Sequence, residues 1–361
     1  MEKLTVNFDG KPCYDIVFTD GFDGLADSVS SLGFRERRIA VITESTVGPL
    51  YADAVIRELD RLPGRHVVFT FPAGEENKQL KTLEDIYAFL IEEHFDRHDL
   101  LIALGGGVTG DITGFAAASF LRGISFIQIP TTLLSQCDSS IGGKTGVDFR
   151  GFKNMIGAFY MPALVWMNLS VLKTLSERQY IAGFAEVIKY GMICDGTYFD
   201  HLVEHRQEIL DRDIDVMVPV IRRSCEIKRA VVEEDPREQG IRAILNFGHT
   251  IGHAIEKYRD FQLFHGECVS LGMHAAAAVS VRAGLLAARD GERIESALES
   301  FRLPVRFAHT EEDVPAILKL VRSDKKADGG HVRFVFLDSI GNAVRGEISD
   351  DLLRYGLETL R

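Results

Sequence analysis

The residues best able to do chemistry concentrate in one stretch, Leu245-Asn246-Phe247-Gly248-His249-Thr250-Ile251-Gly252-His253-Ala254-Ile255-Glu256, closed by His265-Gly266-Glu267. The spacing predicts the opening of a helix. His249 and His253, four apart, project from one helical face, and His265 follows after a short break. Three imidazoles among apolar neighbours resemble a ligand set for a divalent metal, because a catalytic zinc takes three protein ligands and leaves one position for water or substrate. The alternative reading of the same residues is a half-buried helix face whose histidines are satisfied by hydrogen bonds. Upstream, Glu186 and Lys189 stand three apart in the apolar run from Gly183 to Tyr190. They read either as a structural ion pair or as a metal ligand beside a substrate-binding cation.

A second chemistry is written nearer the start. The strand-like run Leu100-Leu101-Ile102-Ala103-Leu104 leads straight into Gly105-Gly106-Gly107-Val108-Thr109-Gly110-Asp111, a G-x-G-x-x-G pattern between a strand and a helix. Residues without Cβ let backbone N–H groups and a helix N-terminus approach a pyrophosphate. The pattern departs from the ordinary dinucleotide fingerprint: it follows the third β-α unit, and no acidic residue ends the next strand, Phe126-Ile127-Gln128-Ile129. Glu44, closing the earlier strand from Arg38 to Thr43, is the better candidate for the adenosine ribose hydroxyls. Pro130 to Thr145 is dense in hydroxyls and glycines and carries Asp138 and Lys144, the segment Gly151 to Gly157 adds Lys153 and Asn154, and Arg122 lies upstream. Together these read as a pocket for a phosphorylated anion, or as solvated surface charges, the usual fate of lysine.

The elements that must position these residues are legible as two blocks. Strands are predicted over 4–8, 14–18, 38–43, 66–71 and 100–104, with helices over 49–61 and 79–94 between them, the alternation of an α/β domain with a buried parallel sheet. The texture changes around Thr174-Leu175-Ser176, where Ser176 is suited to cap a helix entering Gly183 to Tyr190. From there helical periodicity dominates, including 214–233 with Lys228, before the strand-like Val332 to Leu337 and a final helix. The expected domains are therefore 1–175 and 176–361. At 361 residues two domains are the prior. A net charge of −12 argues against general nucleic-acid or membrane-surface binding. Five scattered cysteines with no C-x-x-C fit reduced thiols in a cytoplasmic protein. No signal-peptide core opens the chain, and the weakly polar run from Val269 to Ala288 reads as a buried helix. His201-Leu202-Val203-Glu204-His205 matches an H-x-x-E-H protease pattern, but its surroundings read as a solvated helix end with no third ligand.

Taken together, the pieces GGGVTGDITGFAAASFLRG, IPTTLLSQCDSSIGGKTGVD, FKNMIGAFY, GFAEVIKYG, RAILNFGHTIGHAIE, FHGE and DKK, with the earlier VITES and PAGEENK, resemble the 3-dehydroquinate synthase family of sugar-phosphate cyclases. The resemblance implies an N-terminal Rossmann-like NAD domain and a mostly helical metal domain, with the site in the cleft between them. It implies a metal, zinc or in its place cobalt, held by Glu186, His249 and His265, which makes His253 a catalytic or supporting residue instead of a ligand. Lys189, Lys144, Asp138, Arg242 and Asn246 fall on catalytic positions. Arg122, Lys153, Asn154, Lys228 and one of Lys325 or Lys326 join Lys144, Lys189 and Arg242 as substrate contacts. Glu44, Glu75, Lys78, Gly106, Gly107, Val108, Asp111, Thr131, Thr132, Leu134, Lys144, Lys153, Thr174 and Leu175 match the NAD contacts. Glu44 stands where the family more often has aspartate, Thr46 where asparagine is common, and Cys137 at an often aliphatic position.

The implied activity converts 3-deoxy-D-arabino-heptulosonate 7-phosphate to 3-dehydroquinate and phosphate, the second step of the shikimate pathway. Transient oxidation by NAD at C5 acidifies the C6 proton, phosphate leaves by β-elimination, hydride returns, and an intramolecular aldol step closes the ring. The cofactor carries the redox chemistry while the protein orients it. A homodimer is the family expectation. The rivals are a polyol dehydrogenase of the glycerol-dehydrogenase type, which does not need the SSIGGKT and KNMIG pieces, a sister cyclase acting on another sugar phosphate, and a non-catalytic binding module.

Overall fold

The computed structural model describes residues 2–324 and 332–361. The described residues fall into two units, one formed by Met1–Leu175 with Lys228–Arg237, the other by Ser176–Ile227 with Glu238–Arg361. A single cut after residue 175 misses the Lys228–Arg237 segment. It is the end of a helix, Ile214–Glu234, whose periodicity runs on without a break.

In the first unit a seven-stranded sheet runs in the order Glu2–Phe8, Lys11–Thr19, Leu164–Asn168, Ser125–Pro130, Leu100–Gly105, Ile39–Glu44, His66–Phe71. The first two strands form an antiparallel hairpin, and every other neighbouring pair is parallel. The central strands are buried and mostly apolar because helices cover both faces. On one face Leu25, Val29, Ala52, Val55 and Leu59 pack on Val41, Ile102 and Trp166. On the other, Leu83, Ile86, Leu90, Ile112 and Ala116 pack on Ile42, Leu101 and Phe126.

The strand order reverses at one place. From Ile39–Glu44 the chain steps outward to His66–Phe71, then crosses back to Leu100–Gly105 on the other side. Such a switch opens a crevice at the carboxyl ends of the two strands, where open α/β sheets bind ligands. Here those ends carry Glu44 and Gly105. A small antiparallel hairpin of Lys144–Phe149 and Phe152–Phe159 stands apart from the main sheet.

The second unit is mostly helical. Its central element is the helix His265–Arg282, buried along most of its length. It packs against the helices Glu177–Cys194, His249–Tyr258, Ala288–Ser300 and Asp350–Glu358. A hairpin of Arg333–Ser339 and Asn342–Glu347 also lies against it. Ser176 caps the Glu177–Cys194 helix by accepting from the Gln179 N–H at 3.3 Å. Among the described residues no helix is long and apolar enough to cross a membrane.

Candidate functional site: a carboxylate–histidine cluster and a nucleotide cradle

Three helices bring the cluster of the second unit together, and their closeness depends on glycine. A Cβ on Gly266 would lie 1.7 Å from the Ala182 carbonyl oxygen, so the helix starting at His265 rests directly on the backbone of the Glu186 helix. Gly248, at φ +81, forms the left-handed entry to the His249–Tyr258 helix, a conformation that glycine adopts without Cβ strain. This geometry points His249, His253 and His265 at one another. Their ring centroids are 5.0, 5.2 and 5.7 Å apart, and one nitrogen from each lies within 4.8 Å of the others.

Glu186 is 1% exposed, and its Oε1 lies 3.6 Å from Nε2 of both His249 and His265. That oxygen has no hydrogen-bond donor. The other carboxylate oxygen ion-pairs with Lys189, whose Nζ also donates to the Leu245 carbonyl at 2.7 Å. Burial works against the Glu186 charge, but Lys189 and His265 outweigh it and hold the carboxyl at about 2. His249 is pushed well below its usual range by burial and by the neighbouring Lys189, His253 and His265. Its Nδ1 lies 3.1 Å from the Phe247 carbonyl, which can only accept, so Nδ1 carries the proton and Nε2 presents a lone pair. The Nδ1 of His265 lies 3.8 Å from the buried Glu256 carboxylate. One carboxylate oxygen lacking a donor and two imidazole nitrogens on it form a donor set that suits zinc or cobalt. Arg242, 2% exposed, and half-buried Asn246 sit on the turn Ile241–Asn246 that leads into the cluster, with Asn246 donating to Glu238 at 3.2 Å.

In the first unit the glycine turn behaves as the strand–helix spacing predicts. Gly106 precedes the helix Gly107–Ser119 and supplies no side-chain cap, so the first N–H groups of that helix point into the switch-point crevice without an intrahelical acceptor. A Cβ on Gly106 would come to 3.0 Å from Thr132 Cγ2, so the Thr132 side chain would have to yield to admit one. Thr131 follows the neighbouring strand, and its buried Oγ1 has no hydrogen-bond partner. Thr132 and Leu134 continue that turn. Thr174, beside Leu175 on the turn that follows the Leu164–Asn168 strand, hydrogen-bonds Tyr51. This cradle fits a dinucleotide. Glu44 ends the Ile39–Glu44 strand as expected, and its carboxylate accepts from the N–H groups of Thr46 and Val47 at 2.6 and 2.9 Å.

The remaining predicted residues of this unit form two polar groups. Lys78, buried, donates to Asp111 and to the Asn154 side chain, each at 2.5 Å, while Lys153 ion-pairs with Glu75 at 3.2 Å. Lys228 donates to both the carboxylate and the carbonyl of Asp138 at 2.6 Å. Lys144 is exposed at the start of its hairpin strand, and Arg122 is exposed with φ +70. Lys325 and Lys326 lie outside the described residues.

Residues 68–182 match the N-terminal domain of 3-dehydroquinate synthase and residues 183–327 match its C-terminal domain. The chain belongs to the 3-dehydroquinate synthase family. The 3-dehydroquinate synthase of Acetivibrio thermocellus is 43% identical across 100% of this chain and 99% of its own. That of Thermodesulfovibrio yellowstonii is 44% identical across 98% and 99%. Among solved structures, 2-epi-5-epi-valiolone synthase of Streptomyces hygroscopicus, with NAD+ and Zn2+ bound, superposes with a TM-score of 0.88 at 25% identity over 99% of each chain. A 2-deoxy-scyllo-inosose synthase complexed with carbaglucose-6-phosphate, NAD+ and Co2+ shares the fold at a TM-score of 0.88 and 24% identity, also over 99% of each.

Against this 3-dehydroquinate synthase fold, two contributors escaped the reading of the sequence. Glu256 is seven residues beyond His249 and therefore on its helical face, a spacing that marks it as a neighbour of the histidines. Glu267 accepts the Phe264 N–H at 2.8 Å and a bidentate pair from Arg178 at 2.7 and 2.8 Å, which fixes the first turn of the His265 helix. Nothing in the local sequence announces Arg178, 89 positions away.

Proposed function

We propose a division of labour for the reaction that family membership assigns to this chain. That reaction is the conversion of 3-deoxy-D-arabino-heptulosonate 7-phosphate to 3-dehydroquinate and inorganic phosphate, a carbon–oxygen lyase step of aromatic amino acid biosynthesis. Residues 1–175 bind the nucleotide and 176–361 the metal. Hydride uptake and return at C5 is the chemistry supplied by NAD+ at Gly106, Gly107 and Val108, and Lewis acidity toward the C5 oxygen is that supplied by a divalent ion, zinc or cobalt, at Glu186, His249 and His265.

The protein's own groups do the rest by position and charge. Lys189 neutralises Glu186 and, with Lys228 and Arg242, meets the substrate carboxylate and ring hydroxyls. Lys144, Lys153, Asn154, Arg122 and one of Lys325 or Lys326 hold the phosphoryl group, whose own oxygens take the C6 proton as it leaves. His253 relays protons, Asp138 is oriented by Lys228, and Asn246 orders the approach to the cluster. Glu44, Glu75, Lys78, Asp111, Thr131, Thr132, Leu134, Thr174 and Leu175 seat the dinucleotide. None of the five cysteines forms a disulfide, as suits a cytoplasmic enzyme, and a homodimer completes the reading.

The observation that carries this reading is the buried Glu186 oxygen with no donor and an imidazole Nε2 at 3.6 Å from each of two histidines. The test incubates zinc-loaded protein with NAD+ and the heptulosonate phosphate and follows phosphate and NADH together. Phosphate release without net NADH is expected, because the hydride returns. NADH accumulating without phosphate would indicate a polyol dehydrogenase instead, and silence in both channels with NAD+ and metal bound would refute the substrate.

A further inference from the structure

The hairpin Lys144–Phe149/Phe152–Phe159 contains an irregularity with a specific outcome. Its register shifts between Val147 and Phe149, so Asp148 drops out of the ladder. A bulge of this kind turns a residue's backbone and side chain away from its own hairpin. The freed Asp148 N–H donates to the Lys78 carbonyl at 2.8 Å, and Asp148 bridges in parallel with Gln79. Its carboxylate accepts the N–H of Asn154 at 2.8 Å across the turn. Asn154 there adopts φ +53, a left-handed conformation that asparagine takes more readily than most residues and that the bond to Asp148 helps to hold. The side-chain oxygen of Asn154 then receives Lys78 Nζ at 2.5 Å, and Lys153, one residue before, pairs with Glu75 at 3.2 Å.

These bonds lock two segments into one register. One carries Glu75 and Lys78, assigned above to the nucleotide, and the other carries Lys153 and Asn154, assigned to the phosphoryl group. Asp148 touches neither ligand in that assignment, yet both of its bonds fall on the joint between them.

We propose that Asp148 is a positioning residue that sets the phosphate-binding geometry of Lys153 and Asn154 from the loop that carries Lys78. The inference rests on the proposed function for the identity of the anion. The role is geometric: an acceptor oxygen at one distance from the Asn154 N–H. Charge is secondary to placement. That separates the variants. Asp148→Asn keeps an acceptor oxygen in place and loses the charge, whereas Asp148→Glu keeps the charge and moves the oxygen by one methylene.

The test compares the full-length wild type, D148N, D148E and D148A. It measures binding of inorganic phosphate to the NAD-loaded protein by calorimetry and the KM and kcat for the heptulosonate phosphate. D148E and D148A are expected to weaken phosphate binding and raise KM about tenfold, the loss of one hydrogen bond, with kcat changed less than about threefold. D148N is expected to stay within about threefold of wild type on every measure. Wild-type phosphate affinity in D148E, or a loss in D148N equal to that in D148E, overturns the inference. If D148A does not fold, the D148N and D148E pair decides the matter alone. Phosphate binding is read without turnover, so failure of the reaction assignment and failure of the positioning role give different results.

Discussion

Replacing Gly266 by alanine tests how the metal cluster is held together. The new Cβ would lie 1.7 Å from the Ala182 oxygen, 2.5 Å from its carbonyl carbon and 3.1 Å from its Cα. All three are backbone atoms, so no side chain can swing aside. Real Cβ contacts essentially never fall below 3.0 Å, so the two helices must part by at least about 1.3 Å. Overpacking of this kind costs about 3 kcal/mol or more when only backbone can yield. In a unit of this size that lowers the melting midpoint by about 6–12 °C. The same displacement carries His265 away from Glu186, whereas metal–ligand distances are held to within about 0.2 Å. Zinc affinity is then expected to fall about 10–100-fold, as when groups that support ligands are lost. Calorimetric melting of metal-free protein and zinc competition against a chromophoric chelator measure the two effects separately. Gly21→Ala is the control, since its Cβ would meet nothing closer than 4.0 Å. Unchanged melting and unchanged zinc affinity in Gly266→Ala would refute the argument, because they would mean the helices slide without disturbing the cluster.

Other consequences are open to direct test. Glu186→Gln removes the carboxylate that neutralises Lys189, so metal-free protein is expected to lose about 3–5 kcal/mol in denaturant titrations, and metal analysis should find no bound zinc. Glu44→Ala deletes the acceptor for the Thr46 and Val47 N–H groups. It is expected to cost about 0.5–2 kcal/mol, as loss of a helix-entry cap does, and to weaken NAD+ binding measured by calorimetry. Burial pushes the Cys194 thiol up to about 11 against the opposing charge of Lys189. Its alkylation rate should therefore climb about tenfold per pH unit between pH 8 and 10, and a plateau near pH 9 in site-resolved mass spectrometry would contradict that.

What the sequence made legible follows from the range of the signals involved. The strand–glycine–helix passage at Leu100 to Asp111 is local: apolar run, turn and helix start are all contiguous, and the structure has them in place. The pair His249 and His253 is likewise fixed by helical spacing alone. The α/β character of the first unit and the helical character of the second were equally readable, from period and texture. Long-range partnerships were not. The hairpin strands Lys144–Phe149 and Phe152–Phe159 look like a glycine-rich, hydroxyl-rich segment because only Val147 and Ile156 turn apolar side chains to the core, too few to set an alternation. The strand Asn342–Glu347 is polar and gives no strand signal for the same reason. Lys228 reads as one more residue of a long helix, and its contact with Asp138 spans 90 positions. For Glu186 and Lys189 the two readings, ion pair and ligand beside a cation, hold together: one oxygen pairs with the lysine and the other faces two imidazoles.

The sheet also dictates a timetable. The antiparallel hairpin at the N-terminus joins the sheet through Lys11–Thr19, whose parallel partner is Leu164–Asn168, with Asp15 opposite Leu164. About 150 residues of synthesis separate the two, or some 7–30 s on a ribosome adding about 5–20 residues per second. Throughout that interval the inner edge of the hairpin, Lys11–Thr19, has no docking partner. Such an edge is a template for pairing with another nascent chain, and closing it demands a contact of very high sequence separation. Truncated or stalled chains ending before residue 164 should therefore be the aggregation-prone species, while chains that reach residue 168 close their own edge.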